Sequence, residues 1–349
     1  MRELNIAGKR IADDSPAWII AEVGHNHQGS VEKCKQIFKS AAECGVNAVK
    51  LQKRDNKALF THAMYKSPYI GTNAFGPTYG AHREALELGW DEYVELKGYA
   101  EALGLVFFAT AFDIPSADFL EKLGVPCFKI ASGCLTDLPL IRHVASYGKP
   151  MLISTGGGTP QDVKRVYHTV KQTTCPFALL QCTASYPASP EEMNLRVIET
   201  YRNAFPETVI GLSDHYNGIA DGPLAFALGA RIFEKHFTIN RAWKGSDQAF
   251  SLEHEGMRRF VRDIQRTPAL LGDGIKRVYE SEAAGMYKMA KGLVPTEDFP
   301  AGHVLQPGDL ESRSPLGLPP WKADKLYGRQ LREPLTKGQT ITTSGIVEA

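Results

Sequence analysis

The sequence predicts a (β/α)8 barrel followed by a small β-rich domain. Three observations lead there. From residue 17 to about 271, short runs apolar on both faces alternate with helix-period segments, the pattern of parallel strands covered by helices. Eight such units fit the roughly 250 residues of an eight-stranded barrel. Nearly every strand also ends in a polar residue: Glu22, Lys50 and Gln52, Thr110, Lys129 and Ser132, Ser154, Gln181, Ser213 and His215, Glu234 and His236. A barrel gathers such ends at one mouth, whereas a doubly wound open sheet, the alternative, spreads them along an edge.

In order, the strands are expected at Ala17–Gly24, Ala48–Gln52, Val106–Phe112, Cys127–Gly133, Pro150–Gly156, Phe177–Thr183, Val209–His215 and Arg231–Thr238. The helices between them read as Ser30–Cys44, Asp91–Leu103, Ser116–Leu123, Leu138–Tyr147, Thr159–Thr173, Pro190–Phe205 and Gly222–Leu228, with a last one at Leu252–Leu271. Ser30, Asp91, Ser116 and Thr159 are candidate N-caps, and Gly45, Gly104, Gly124, Gly148 and Gly229 stand where helices end.

Two regions break the repeat. Residues 53–90 form a long insertion on the mouth side, with Tyr65, Tyr69, Tyr79 and the cluster His82–Arg83–Glu84. Its length and position favour a lid over a passive loop. From about Lys291 the helix period stops and short apolar pieces alternate with Pro and Gly (GLVPTEDFPAGHVLQPGDL). The expected organisation is a barrel over 1–272, a polar, mildly helical linker over 273–290, and the β-rich domain over 291–349.

Composition narrows the function. Forty Lys+Arg against 39 Asp+Glu leave a net charge of +1 over 349 residues, so no bulk field draws the chain to nucleic acid or a membrane. The six cysteines form no C-x-x-C pair and lie in apolar segments, as reduced thiols do. No run approaches the length of a membrane span, and the N-terminus has no signal-peptide apolar core. A cytoplasmic protein is expected.

The sharpest constellation is the histidine pair in LSDH (212–215) and FEKHFT (233–238). Neighbouring parallel strands run about 4.8 Å apart, so imidazoles of His215 and His236 at matching heights can share a divalent ion. Solvated loop histidines are the alternative. Two nitrogen ligands with open positions suit Mn, Fe, Co or Zn as a Lewis acid. Lys50 and Lys129 lie inside otherwise apolar strands, where a lysine needs an anion. Either they close internal salt bridges, for instance Lys50 with Glu22, or they serve a small, strongly anionic substrate. Thr110, Ser132, Ser154 and Ser213 are short donors on the same rim, suited to phosphate or carboxylate oxygens. The run Gly156–Gly157–Gly158 is either a further anion cradle or a tight turn.

The motifs IIAEVGHNHQGS (19–30), VKLQK (49–53), FKIASG (128–133), LISTGG (152–157), LLQCTASYPA (179–188), IGLSDH (210–215) and EKHFTINRAWKGSDQAFSLE (234–253) occur in order. Together they resemble the sialic acid synthase family, and the tail resembles the antifreeze-like (SAF) domain those synthases carry. The resemblance implies a barrel that condenses phosphoenolpyruvate with an open-chain N-acylated amino sugar, of the N-acetylmannosamine type or its 6-phosphate. It implies a catalytic set of Glu22, Lys129, His215 and His236, with the two histidines holding a divalent metal, usually Mn2+. Lys50, Thr110, Ser132, Ser154 and Ser213 would hold phosphoenolpyruvate, and Gln52, Tyr186 and Asp247 the sugar. Glu22 or Asp247 would orient the water. Arg313 in LESRSPLG would reach the sugar of a second subunit in a domain-swapped homodimer. Cys134 and Ala184 depart from common family residues and leave the sugar open. Legionaminic acid, pseudaminic acid and spore-coat polysaccharide synthases share the framework. Enzymes condensing phosphoenolpyruvate with an aldose phosphate share the plan without the tail. A non-enzymatic sugar-binding protein has no need of so many mouth residues.

Overall fold

The computed structural model describes residues 2–342, 344 and 346. They form two compact units, residues 1–272 and 273–349. The first opens with an antiparallel hairpin that hydrophobic patterning over so few residues does not announce, β1 (Glu3–Ile6) and β2 (Lys9–Ala12). Its two-residue turn places Ala7 and Gly8 at φ 49° and 76°, the primed geometry that matches strand twist. Leu4, Ile6 and Ile11 are buried in the main core. Asp13 then ties the segment down, accepting from Arg202 Nη1 at 2.6 Å and Arg2 Nη1 at 3.0 Å.

The eight parallel strands close into a barrel: β3 (Trp18–Gly24), β4 (Ala48–Lys53), β5 (Val106–Ala111), β6 (Phe128–Ile130), β7 (Met151–Ser154), β8 (Phe177–Cys182), β9 (Val209–Asp214) and β10 (Ile232–His236), with β10 pairing back onto β3. Close approach inside the barrel uses Gly211, where a Cβ would stand 2.4 Å from the Ile232 carbonyl oxygen and 2.5 Å from Leu180 Cδ2. Helices α1 (Val31–Glu43), α5 (Trp90–Ala102), α6 (Ile114–Leu123), α7 (Leu138–Ala145), α8 (Pro160–Lys171), α9 (Val197–Ala204), α10 (Asp221–Ala227) and α11 (His254–Leu271) cover it. Among the described residues no helix is long and apolar enough to cross a membrane.

Ser30 and Thr159 cap α1 and α8 as expected, and the five helix-ending glycines all have positive φ. Two caps differ. Asp113, three residues earlier than Ser116, caps α6 and accepts the Ser116 N–H at 2.8 Å, because Pro115 fits the first turn of a helix. Gly89 precedes α5, which leaves Asp91 in the first turn, where a carboxylate favours the helix dipole. The helix expected over Pro190–Phe205 splits into a 3-10 turn at Pro190–Glu192 and α9. Asn194 sits between them at φ 39°, a left-handed conformation that breaks helical hydrogen bonding.

The insertion holds three short helices, α2 (Asn56–Leu59), α3 (His62–Lys66) and α4 (Tyr79–Glu84). Tyr79 packs edge-on against Phe60 and Tyr69, with ring centroids 5.0 and 5.4 Å apart, and Tyr69 lies 4.5 Å from His82. In the second unit, α12 (Ala283–Met289) precedes two antiparallel strands, β11 (Gly292–Pro295) and β12 (Leu310–Arg313). Isolated bridges such as Phe299 with Leu335 complete it around a separate core that includes Leu293, Leu305 and Leu331.

Candidate active site

Strand register builds the site. Glu234 pairs with Ser213 and Lys235 with Asp214, so the next step of the ladder sets His236 beside His215, one residue past β9. On the other side His236 pairs with Glu22, Glu22 with Lys50, Gln52 with Thr110, and Thr110 with Lys129. β6 stops at Ile130, earlier than expected, and Ser132 comes instead from the 3-10 turn Ser132–Cys134. All twelve barrel residues expected at the site (Glu22, Lys50, Gln52, Thr110, Lys129, Ser132, Ser154, Tyr186, Ser213, His215, His236 and Asp247) line one cavity of about 410 Å³. Arg313 lies in the second unit at the end of β12, with Nη2 2.6 Å from Glu311 Oε1.

At the cavity floor four buried charges alternate in sign. Lys50 Nζ lies 2.6 Å from Glu22 Oε2 and donates to Thr110 Oγ1 at 2.7 Å. Lys129 Nζ stands 3.5 Å from Glu234 Oε1, which Lys50 also faces at 3.8 Å and to which Ser213 donates at 3.1 Å. Burial raises the Glu22 pKa, with the Lys50 charge opposing it, and burial lowers that of Lys129, with Glu234 opposing. Glu234 Oε2 and the Ser154 hydroxyl are buried without a hydrogen-bond partner among the described residues. The salt-bridge reading of the lysines is therefore realised, but with loose contacts and unused polar atoms around Lys129.

The two imidazoles stand with ring centroids 5.2 Å apart. His215 Nδ1 lies 2.7 Å from the Thr183 carbonyl oxygen. Only an N–H can serve that contact, so Nδ1 is the donor and Nε2 is the nitrogen left for another partner. His236 is held below its ordinary pKa by burial, against the pull of Asp247, and its Nδ1 is a buried atom with no hydrogen-bond partner, 3.8 Å from Asp247 Oδ2. Tyr186 packs over the His215 ring at 4.2 Å and Phe250 against His236 at 4.8 Å, which fixes both orientations. Two imidazoles with nearby carboxylates fit a divalent cation of borderline hardness. Among the described residues no group of three or more His, Cys, Asp or Glu side chains is arranged as a ligand set.

Gln52 continues the network outward, donating from Nε2 to Glu22 Oε1 at 2.7 Å. Gly24, at φ 53°, leaves room for it: a Cβ there would stand 3.1 Å from both Gln52 Nε2 and Glu22 Oε1. The glycine run is no open cradle at its first member. The Gly156 N–H donates to Ser132 Oγ at 3.0 Å, and a Cβ on Gly158 would strike Leu135 Cδ2 at 2.2 Å. Cys134 is buried, and its Sγ faces the Phe112 carbonyl oxygen at 3.8 Å. Sequence reasoning did not count Arg54, Arg83 and Glu234, which also line the cavity. Glu234 had a signal, since it lies two residues before His236 and so on the same strand face. Arg83, on α4, stood out only as part of the mouth-side insertion, and Arg54, beyond the end of β4, had no signal, because no periodicity relates a loop insertion to a strand end.

The NeuB family profile matches residues 37–276, and the SAF domain profile matches 290–347. The chain is similar to the N-acetylneuraminate-9-phosphate synthase of Mus musculus, 36% identical over 341 residues that cover 97% of this chain and 95% of that protein. It is also 34% identical to the N,N'-diacetyllegionaminic acid synthase of Legionella pneumophila over 331 residues, 93% of each. Among solved structures, the N-acetylneuraminic acid synthetase of Leptospira borgpetersenii superposes with a TM-score of 0.71 at 30% identity, covering 81% of this chain and 95% of that one.

Proposed function

This chain belongs to the NeuB family, and from that premise we propose that it condenses phosphoenolpyruvate with the aldehyde of an open-chain N-acetylmannosamine-type sugar. The observation that carries the reading is the cavity floor, where two buried lysines and four short hydroxyl side chains, that of Ser154 without a hydrogen-bond partner among the described residues, share one cavity with two oriented imidazoles. Lys50, Lys129, Thr110, Ser132, Ser154 and Ser213 bind the phosphate and carboxylate of phosphoenolpyruvate. Those anions take over lysine contacts that Glu22 and Glu234 supply in the free protein. Gln52, Tyr186 and Asp247 position the sugar. The methylene carbon of phosphoenolpyruvate attacks the aldehyde carbon, water adds at the carbon bearing the phosphate, and that C–O bond breaks to release inorganic phosphate. Glu22, freed from Lys50, orients the water from the buried wall, with Asp247 as the other available carboxylate.

His215 and His236 would hold the divalent metal on which enzymes of this family generally depend, Mn2+ in our reading. That ion supplies Lewis-acid polarisation of the aldehyde oxygen. Arg313 completes the site of a second subunit in a homodimer, and the six buried, free cysteines support a cytoplasmic setting. The test is phosphate release from phosphoenolpyruvate over a panel of N-acyl hexosamines, with and without 6-phosphate, in Mn2+. Release with an N-acylmannosamine supports the reading, and no release across the panel overturns it.

A further inference from the structure

Above the cavity floor stand two cations that the condensation leaves unused. Arg54 is 7% exposed and lies with its guanidinium carbon 3.7 Å from the centre of the Phe112 ring. It donates to Gln52 Oε1 at 2.6 Å, and its Nη1 is 3.2 Å from His25 Nε2. Arg83 donates twice to the Tyr79 hydroxyl, at 2.8 and 3.1 Å, and its Nη1 is 3.4 Å from His25 Nδ1. Two guanidinium groups thus converge on one imidazole, which has a single acceptor nitrogen when neutral. One of them therefore faces another donor. Among the described residues no carboxylate lies within 4 Å of either guanidinium. The nearest acid to His25, Glu87 at 3.5 Å, is engaged by Lys53 at 3.0 Å. Burial and the two arginines hold His25 well below its ordinary pKa, and burial with Arg83 lowers Arg54 to about 10. A buried guanidinium beside a half-buried one, with no carboxylate within salt-bridge distance of either, matches a dianionic ligand with several acceptor oxygens.

We propose that Arg54 and Arg83 seat a phosphate monoester at the end of the sugar remote from its aldehyde, so that the acceptor is an N-acylhexosamine 6-phosphate. This rests on the condensation proposed above. The Gln52 side chain bridges Glu22 to Arg54 through hydrogen bonds of 2.7 and 2.6 Å, which sets Arg54 beyond Gln52 from the carboxylate nearest the chemistry, in the same cavity as Arg83. Adding the three carbons of phosphoenolpyruvate at the aldehyde renumbers the sixth carbon as the ninth, so the product is a 9-phosphate. The relatives divide between a 9-phosphate synthase and one whose product name carries no phosphate, and the arginine pair decides between them on this chain's own residues.

The test compares wild type, Arg83→Gln and Arg54→Gln. The readouts are kcat/KM for N-acetylmannosamine 6-phosphate and for N-acetylmannosamine, and calorimetric binding of the unreactive alditol N-acetylmannosaminitol 6-phosphate and of phosphoenolpyruvate. Wild type should prefer the phosphorylated aldehyde, and each variant should lower that preference roughly 10- to 100-fold, with a matching loss in alditol affinity. Arg83 sits on the insertion, so its variant decides the matter even if Arg54→Gln fails to fold. An unchanged preference, an unchanged alditol affinity, or a loss confined to phosphoenolpyruvate would overturn the assignment. If neither aldehyde turns over, the reaction reading fails, and the alditol titration still judges the arginines.

Discussion

Replacing Lys129 with Met keeps the aliphatic stem and removes the charge, and the geometry gives opposite expectations for stability and for binding. In the free protein Lys129 Nζ is 3.5 Å from Glu234 Oε1, an attraction of about 5 kcal/mol at an effective dielectric of about 20. Burying the ammonium offsets much of that, which is why its pKa is lowered. Glu234 meanwhile keeps Lys50 at 3.8 Å and the Ser213 hydroxyl at 3.1 Å. Removing one partner of a buried pair costs about 3–5 kcal/mol when it strands the other charge; because Glu234 keeps Lys50 and Ser213, the loss here should not exceed about 3 kcal/mol, at about 2–4 °C in Tm per kcal/mol for a domain of this size class. Binding should suffer more. The floor shifts from balanced to net negative, and a charge-assisted contact worth about 1.5–3 kcal/mol is lost, so Kd for phosphoenolpyruvate should rise about 100-fold. Scanning calorimetry and a phosphoenolpyruvate titration on the same sample measure both. A Tm loss above about 12 °C with an unchanged Kd would refute the reasoning and leave Lys129 a structural salt-bridge residue. Lys50→Met should be the harsher change for stability, because Lys50 makes two short contacts, at 2.6 and 2.7 Å.

Chelation should abolish turnover and Mn2+ restore it. Mn2+ should also raise the Tm of wild type by linkage but not that of His215→Ala or His236→Ala, and equal shifts in all three would exclude the pair as ligands. Asp13 is held below its ordinary pKa although burial opposes this, because Arg202 and Arg2 donate to it. A folded pKa below the unfolded one stabilises above the unfolded value and loses that stabilisation as pH falls. Asp13→Asn should therefore cost no more than about 1 kcal/mol near pH 7, since the carboxylate is one-third exposed, and the gap should narrow below about pH 3.9, read by urea unfolding at both pH values. Mixing Arg313→Ala with His236→Ala chains, each nearly inactive alone, should restore up to half of wild-type activity per heterodimer. No recovery after confirmed subunit exchange would mean that Arg313 does not act in trans.

The barrel was legible because burial of both strand faces and capped helices are local patterns that tertiary packing reinforces. Site residues on strands were legible for the same reason: alternation puts Glu22 and His236, or Ser213 and His215, on the inward face wherever the strand runs. What escaped lay off that lattice. Pro115 moved a cap from Ser116 to Asp113, and Asn194 in a left-handed conformation cut one expected helix in two. Ser132 lies at the cavity as expected, but on a turn and not a strand, while Arg54 and Arg83 reach it from the end of one strand and a helix in the next loop. Their convergence on His25 is a contact between segments about thirty and sixty residues distant from it in sequence, which no short-range periodicity encodes.

Under the proposed function, the two readings open for Lys50 and Lys129, internal salt bridge and anion site, describe two states of one device. A lysine buried in a barrel without a counter-charge gives up its proton, and a neutral amine is a poor phosphate ligand. Glu22 and Glu234 keep the free protein's floor balanced, and the differing contact lengths set how readily each lysine changes partner. Lys129, at 3.5 Å from a carboxylate whose other oxygen has no hydrogen-bond partner among the described residues, is in that reading the one that turns toward an incoming phosphate. Lys50, clasped by Glu22 at 2.6 Å, is the one whose transfer would release a buried carboxylate. In the proposed reaction that release comes as substrate arrives, so the group that orients water is uncovered only when there is a substrate for the water to attack.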